Sequence, residues 1–441
     1  ALGATSQTTE ITHLFLLPLE RPRLTLPSCW RPRGGKGSAA APLVDTEGAI
    51  NPRIVRSLPA PFNQEKRSML NRHDDFPIHQ TPDPVAAPTT GDRNVYDRYF
   101  FNGYSRDGAL YFAAAMGLYA NRNVLDASFS VVRGGVQTSI HASRRAPLER
   151  TETRVGPISV EVLDPMRFHG LRVADNDAGV RAELRFGART VAVEEPRFTR
   201  RAGTRVRMDS TRFTQWGSWQ GWVEVGGERI EIDSVQVLGT RDRSWGIRPV
   251  GEPEGGAPGA PGQFFWLWAP LHFDDLCAHF DVIEDGEGRV ENSNGSIIPI
   301  LADPADPAID YDETVATKME SVSHRIQWRS ATRKAESAEI ALVPFRGDAT
   351  VITLEPRLTF QMLGLGYLHP EWGHGLWKGE EVVETEEWKL ADANPLDPRY
   401  IHIQELCRAR MDERQGIGIL EQLVIGPHQP SGFEGLFDGA K

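Results

Sequence analysis

The sequence predicts an all-β protein built as two tandem domains. Three observations carry this: short runs in which apolar and polar residues alternate, tight-turn glycines between those runs, and a weak repeat at nearly one spacing along the chain. At 441 residues the chain is long enough for two or three domains with cores of their own. Hydrophobic residues make up 40% and charged residues 25%, the balance of a globular protein rather than a disordered one.

Taken in order, residues 1–94 read as a disordered or extended N-terminal segment. Positions 1–68 are rich in Pro, Arg, Ser and Thr and show no periodicity, so they read as an extension upstream of a start at Met69. The stretch from Leu14 to Leu19 is too short for a signal peptide or an anchor and is broken by Pro18. Pro77, Pro82, Pro84 and Pro88 keep the next stretch extended. The folded pattern begins near Tyr96, and apolar residues crowd through to Tyr119, with turn signals at Asn102-Gly103 and Asp107-Gly108. Val180, Ala182, Leu184 and Phe186 alternate with Arg181, Glu183 and Arg185, which marks a strand with one wet face.

The clearest hairpin runs from Trp222 to Ile232 around Gly226-Gly227, a pair able to take the positive φ of a primed turn. A strand at Val235–Leu238 follows. Nine of the fourteen residues from Pro249 to Gly262 are Gly or Pro, so this stretch is a linker or long loop. Beyond it, turns are expected at Asp285-Gly286 and Asn294-Gly295. A strand is expected where Val322, His324, Ile326 and Trp328 alternate with polar residues, and a short helix near 404–413. The resulting organisation is one β-domain over 95–250, a linker over 251–262 and a second β-domain over 263–441.

The repeat supports two copies. Glu195-Pro-Arg-Phe-Thr199 returns as Glu355-Pro-Arg-Leu-Thr359 at an offset of 160. Gly217-Ser-Trp219-Gln-Gly221 returns as Gly375-Leu-Trp377-Lys-Gly379 at 158, and Phe100-Phe101 as Phe264-Phe265 at 164. Many short strands with glycine turns suit sandwiches or barrels, and a wide barrel or a seam between two of them can hold an apolar ligand.

A net charge of −11 repels phosphate backbones, so no nucleic-acid partner is expected. No run is apolar for the length of a membrane span. Cys29, Cys277 and Cys407 are odd in number and far apart, which suits neither a disulfide framework nor a zinc spacing and points to a reducing, cytoplasmic setting, with a low-cysteine periplasmic protein as the alternative.

Three clusters are able to carry chemistry. In Asp242-Arg243-Ser244-Trp245, Asp242 is either half of a structural pair with Arg243 or a buried acid whose proton is held by an apolar pocket. Trp245 is a core plug or a pocket wall. Trp266 and Trp268, two apart, share one strand face as a core stripe or as an aromatic wall, with His272, Asp274 and Asp275 just beyond. Asp274-Asp275 reads as a turn. Between Gly364 and Gly375 fall Tyr367, His369, Glu371, Trp372 and His374, either a turn with local hydrogen bonds or a pocket rim supplying Tyr367 or His369 for acid–base work. The His-x-Glu-x-x-His spacing is not the helical metal motif and Pro370 interrupts it, so no metal is expected. His324 reads as an interior histidine with its hydrogen bonds satisfied. No phosphate loop, dinucleotide fingerprint or nucleophile elbow is present.

With Asp242-Arg243-Ser244-Trp245 ending the first half and Trp266-Leu267-Trp268 opening the second, the chain resembles the carotenoid 1,2-hydratase and AttH-like superfamily, in particular its bacterial branch. The resemblance covers about 95–441 but rests on those two short motifs. It implies two tandem lipocalin-like β-barrel domains and cofactor-free chemistry of hydratase, lyase or isomerase type on an isoprenoid-like or polycyclic ligand. On that reading Asp242 protonates an alkene, Tyr367 or His369 positions water, and Trp245, Trp266 and Trp268 shield the cation. His272, Trp372 and His374 add to the ligand contacts. The chain departs from the family pattern at Ser244, where an acid is expected, and at Leu267, where an Asp is expected between the two Trp. The alternative is a lipocalin-like carrier of a hydrophobic molecule, without chemistry.

Overall fold

The computed structural model describes residues 69–253, 255–256, 262–301 and 313–441. The expectation for 1–68, and part of that for the linker, fall outside these residues. Strand accounts for 57% of the structure and helix for 6%, so the chain is all-β, with one nearly closed and one closed barrel-like sheet. No helix among the described residues is long and apolar enough to cross a membrane.

The first sheet uses β1 (Val95–Ser105), β2 (Leu110–Tyr119), β3 (Val124–Arg133), β4 (Val136–Arg145), β5 (Arg154–Val155), β6 (Ile158–Asp164) and β7 (Phe168–Val173). It continues through β8 (Arg181–Ala188), β9 (Val193–Glu194), β10 (Phe198–Ala202), β11 (Arg205–Val225), β12 (Glu228–Ile232) and β13 (Val237–Ile247). The second half supplies β14 (Phe264–His272), β15 (Leu276–Glu284), β16 (Val290–Pro299), β17 (Thr317–Trp328) and β18 (Ala335–Pro344). It ends with β19 (Thr350–Gln361), β20 (Glu381–Lys389), β21 (Ile403–Met411) and β22 (Arg414–Ile425). The first sheet is ordered β20-β4-β3-β2-β1-β13-β11-β8-β7-β6-β5, with β9, β10 and β12 on β11. The second closes as β14-β15-β16-β17-β18-β19-β21-β22. Strand β20 thus leaves the second half and pairs antiparallel with β4, from Glu381↔Arg144 to Lys389↔Val136, covering what would be an open edge.

Period-two alternation explains where the cores sit. In β1 and β2, Phe101, Phe112 and Ala114 turn into the first barrel with Phe129, Phe186 and Trp219. In β14, Phe265, Leu267, Ala269 and Leu271 turn into the second. The opposite faces meet each other: Phe100, Tyr104 and Tyr111 pack with Trp268, Phe360 and Met362 as a third core in the seam. The barrels are therefore joined by apolar burial rather than by the linker alone.

Several expectations hold in detail. β8 is buried at every second residue, and Gly226 and Gly227 turn the β11–β12 hairpin with φ of 61° and 76°. Asp107-Gly108 and Asp285-Gly286 lie in turns. His324 bonds Glu284 at 3.0 Å inside its strand. Others need correction. Asn102-Gly103 and Asn294-Gly295 are not turns but strand interiors, in β1 and β16. A Cβ on Gly103 would meet the Phe112 ring at 2.2 Å and one on Gly295 the Val322 side chain at 2.5 Å, so close approach, not chain reversal, requires these glycines. The expected helix at 404–413 is strand β21, in which Cys407, Ala409 and Met411 are buried while Arg408 and Arg410 are exposed. Val235 is exposed in a turn, and the strand starts at Val237. Of the repeats, Phe100 and Phe264 do sit on the opening strands of the two barrels. Trp219 is fully buried in β11, whereas Trp377 is 43% exposed in the loop before β20, so that pair of glycine-flanked Trp is not equivalent.

Candidate functional site

Cross-strand neighbours point to the same face of a sheet. On the seam face of the first sheet, Phe100, Asp242 and Thr214 stand side by side across β1, β13 and β11. On the seam face of the second, Asp281, Trp268, Glu421 and Gln404 stand side by side across β15, β14, β22 and β21. The next rung holds Ile283, Trp266 and Leu423. These two rows face one another and enclose a cleft of about 190 Å³, to which Tyr367, His402, Arg212 and Glu195 also contribute.

Asp242 keeps some surface toward the cleft but is otherwise surrounded by protein. It makes no hydrogen bond or ion pair among the described residues. Burial pushes its carboxyl up to about 7; the Arg212 charge opposes that rise and the Glu195 charge adds to it. Arg243 does not pair with it but with Asp97, at 2.7 Å. Arg212 lies over both indoles, 5.3 Å from the Trp266 centroid and 5.7 Å from that of Trp268. The same guanidinium bonds Glu195 through Nε at 2.6 Å, and Thr214 Oγ1 donates to Glu195 at 2.7 Å. Burial works against the charge on Glu195, but Arg212 and His279 outweigh it and hold the carboxyl below its ordinary range.

His402 is fully buried at the other side of the cleft. Its Nε2 meets Glu421 Oε1 at 2.6 Å, so Nε2 carries the proton, and Nδ1, which has no hydrogen-bond partner, presents a lone pair. Glu421 is held in turn by Gln404 Nε2 at 2.6 Å. Tyr367 packs edge-on to His402 at 4.6 Å, and its hydroxyl accepts a hydrogen bond from Arg98.

The sequence-derived residues therefore divide. Asp242, Trp266, Trp268 and Tyr367 meet in the cleft. Trp245 faces the other way on β13, is 42% exposed and packs against Phe213. His272 is locked between Arg189 Nη1, at 2.8 Å, and the Gly239 carbonyl, at 3.1 Å. His369 accepts the backbone N–H of Trp372 at 2.9 Å and bonds Glu386 at 3.2 Å. Trp372 donates to Glu384 at 2.7 Å and stacks on His141. His374 takes a bond from Arg248 on Nδ1 at 3.0 Å, and its Nε2 meets both the Leu365 carbonyl at 2.8 Å and Arg98 Nη2 at 3.0 Å. Leu267 turns into the second barrel's core, so an acid at that position would not face the cleft.

His402, Glu421, Asp281, Glu195 and Arg212 escaped sequence reasoning as site residues. A signal existed for one: in Cys277-Ala-His279-Phe-Asp281-Val282, two polar residues share one face of an otherwise apolar strand. The others come together only through pairing of strands distant in sequence.

Among solved structures, a protein provisionally designated AttH from Nitrosomonas europaea matches 75% of this chain and 92% of its own at 13% identity, with a TM-score of 0.45. Kievitone hydratase from Nectria haematococca matches 74% and 88% at 12% identity and a TM-score of 0.44. CghA matches 75% and 88% at 10% identity and 0.43. No curated protein matches the sequence. Residues 70–434 match the model of one family, described as a family of unknown function (DUF8625), and the chain belongs to that family.

Proposed function

We propose that the seam cleft binds an apolar small molecule and moves a proton on it, with Asp242 as the acid and His402 Nδ1 as the base. The observation that carries this is a carboxyl without a partner and, across one cleft walled by Trp266 and Trp268, the ring of His402, whose buried Nδ1 has no hydrogen-bond partner. Asp242 gives its proton to a carbon–carbon double bond, and the resulting cation loses a proton to His402, either directly or from an added water. The first outcome is an isomerisation and the second a hydration, and both belong to the class the sequence suggests. Glu421 holds His402 in the tautomer that accepts. Arg212 already occupies one face of the two indoles, so that face is not free to shield a ligand cation, and the indoles orient the ligand with their remaining surface. At about 190 Å³ the cleft is smaller than the roughly 300–1,000 Å³ of most ligand sites, which favours a compact substrate or one end of a longer one.

The test starts from whatever apolar compound copurifies with the protein, identified by mass spectrometry. Asp242→Asn should bind it within a few fold of wild type and turn it over at least 100-fold more slowly. A wild-type protein that quenches Trp fluorescence with the compound yet leaves it unchanged after long incubation would instead be a carrier.

A further inference from the structure

One end of the cleft holds a second constellation that the acid–base reading does not use. Glu195 follows β9, and His279 and Asp281 sit two apart on β15. His279 Nε2 lies 3.4 Å from Asp281 Oδ2 and 3.6 Å from Glu195 Oε1. One ligand atom from each residue falls within 4.8 Å of the others. Exposure is 5% for Glu195, 0% for His279 and 4% for Asp281, so bulk solvent barely reaches them. His279 Nε2 and Asp281 Oδ2 have no hydrogen-bond partner. A buried polar atom without a hydrogen-bond partner destabilises a fold, and here two such atoms lie 3.4 Å apart.

The spacing suits something held between them. Two ligands each about 2.1 Å from a tetrahedral ion stand about 3.4 Å apart. The surrounding bonds are those a coordination shell needs. Thr214 and Arg212 fix Glu195, and the Asn294 amide meets His279 Nδ1 at 3.2 Å. The amide stands with its nitrogen toward Nδ1; half a turn of the amide on binding brings its oxygen to Nδ1–H, and the Nε2 lone pair then faces the two carboxylates, a freedom that a backbone N–H does not have. We propose that Glu195, His279 and Asp281 bind one divalent transition-metal ion of the zinc, cobalt or manganese class, with its open position toward the cleft. One imidazole and two carboxylates suit those ions better than a soft thiolate-binding metal. Arg212 offsets part of the carboxylate charge, so the site is weaker than a closed structural zinc site.

The other histidine–carboxylate group, His141, His369 and Glu386, provides the contrast. His369 Nδ1 accepts the backbone N–H groups of Glu371 and Trp372 at 3.0 and 2.9 Å, so its Nε2 carries a proton and points it at Glu386. It has no lone pair to give, and the group ties β20 to β4.

The proposal does not depend on Asp242 being an acid, and its test reads no activity. The full chain is stripped with a chelator and titrated with Co²⁺. One Co²⁺ per chain is expected, with visible d–d absorption that Zn²⁺ abolishes by displacement. His279→Gln should remove the spectrum, Asn294→Ala should weaken binding 10–100-fold, and His369→Gln should leave it unchanged. Absence of stoichiometric cobalt, or a spectrum that survives His279→Gln, overturns the site. Should His279→Gln fail to fold, unchanged affinity in Asn294→Ala overturns it instead.

Discussion

Asp242 illustrates what one residue can reveal about its surroundings. Its carboxyl titrates near 7 in the fold against an ordinary 3.8, because burial disfavours the charge more than Arg212 favours it. Between those two values the unfolded chain releases a proton that the folded chain keeps. Stability is therefore lost as pH rises from about 4 to 7, and the full penalty remains above 7. Asp242→Asn escapes this penalty. In metal-free protein its melting temperature should exceed that of wild type at pH 8 and converge with it near pH 4; equal temperatures at both pH values would show a carboxyl that titrates normally. The sequence marks this residue through Asp-Arg-x-Trp and leaves two readings open, a pair with Arg243 or a buried acid; the pair does not form, because the alternation that turns Asp242 to the seam turns Arg243 toward Asp97. His402 offered no local clue at all. Its importance depends on Glu421, nineteen residues on, and on Trp266, far earlier in the chain.

At the scale of elements, alternation and turn glycines made most strands legible, and the misreadings share one cause. Gly103, Gly295 and the 404–413 segment carry local turn and helix signals, while cross-strand partners decide their structure. The second barrel also contains a pH-sensitive tie. Glu284 on β15 bonds His324 of β17 at 3.0 Å and His428, beyond β22, at 2.9 Å, and both rings stack on Phe265. Burial alone would raise this carboxyl, but the two histidines bring it down to about 2. A depressed carboxyl stabilises the fold above its unfolded value of 4.5 and loses that contribution as pH falls toward 2. Glu284→Gln should cost roughly 2 kcal/mol at pH 6, with the gap to wild type closing between pH 4.5 and 2. Urea titrations across that range measure it, and a gap independent of pH would contradict the assignment.

For the molecule as a whole, the all-β class and two barrel-like sheets were readable because alternation and repeat act along the chain. The exchange of β20 was not, since nothing in Glu381–Lys389 distinguishes a strand that pairs with its own half from one that pairs with β4. The exchange and the seam core make the two barrels one support, and the cleft exists only where their outer faces meet. The proposed delivery of a proton to carbon at this seam is tested most directly by incubating the copurified ligand in D₂O with wild-type protein and with Asp242→Asn, and weighing the ligand. One non-exchangeable deuterium gained with wild type, and none with the variant, is the predicted result. No deuterium with wild type, or equal uptake with both proteins, would contradict it.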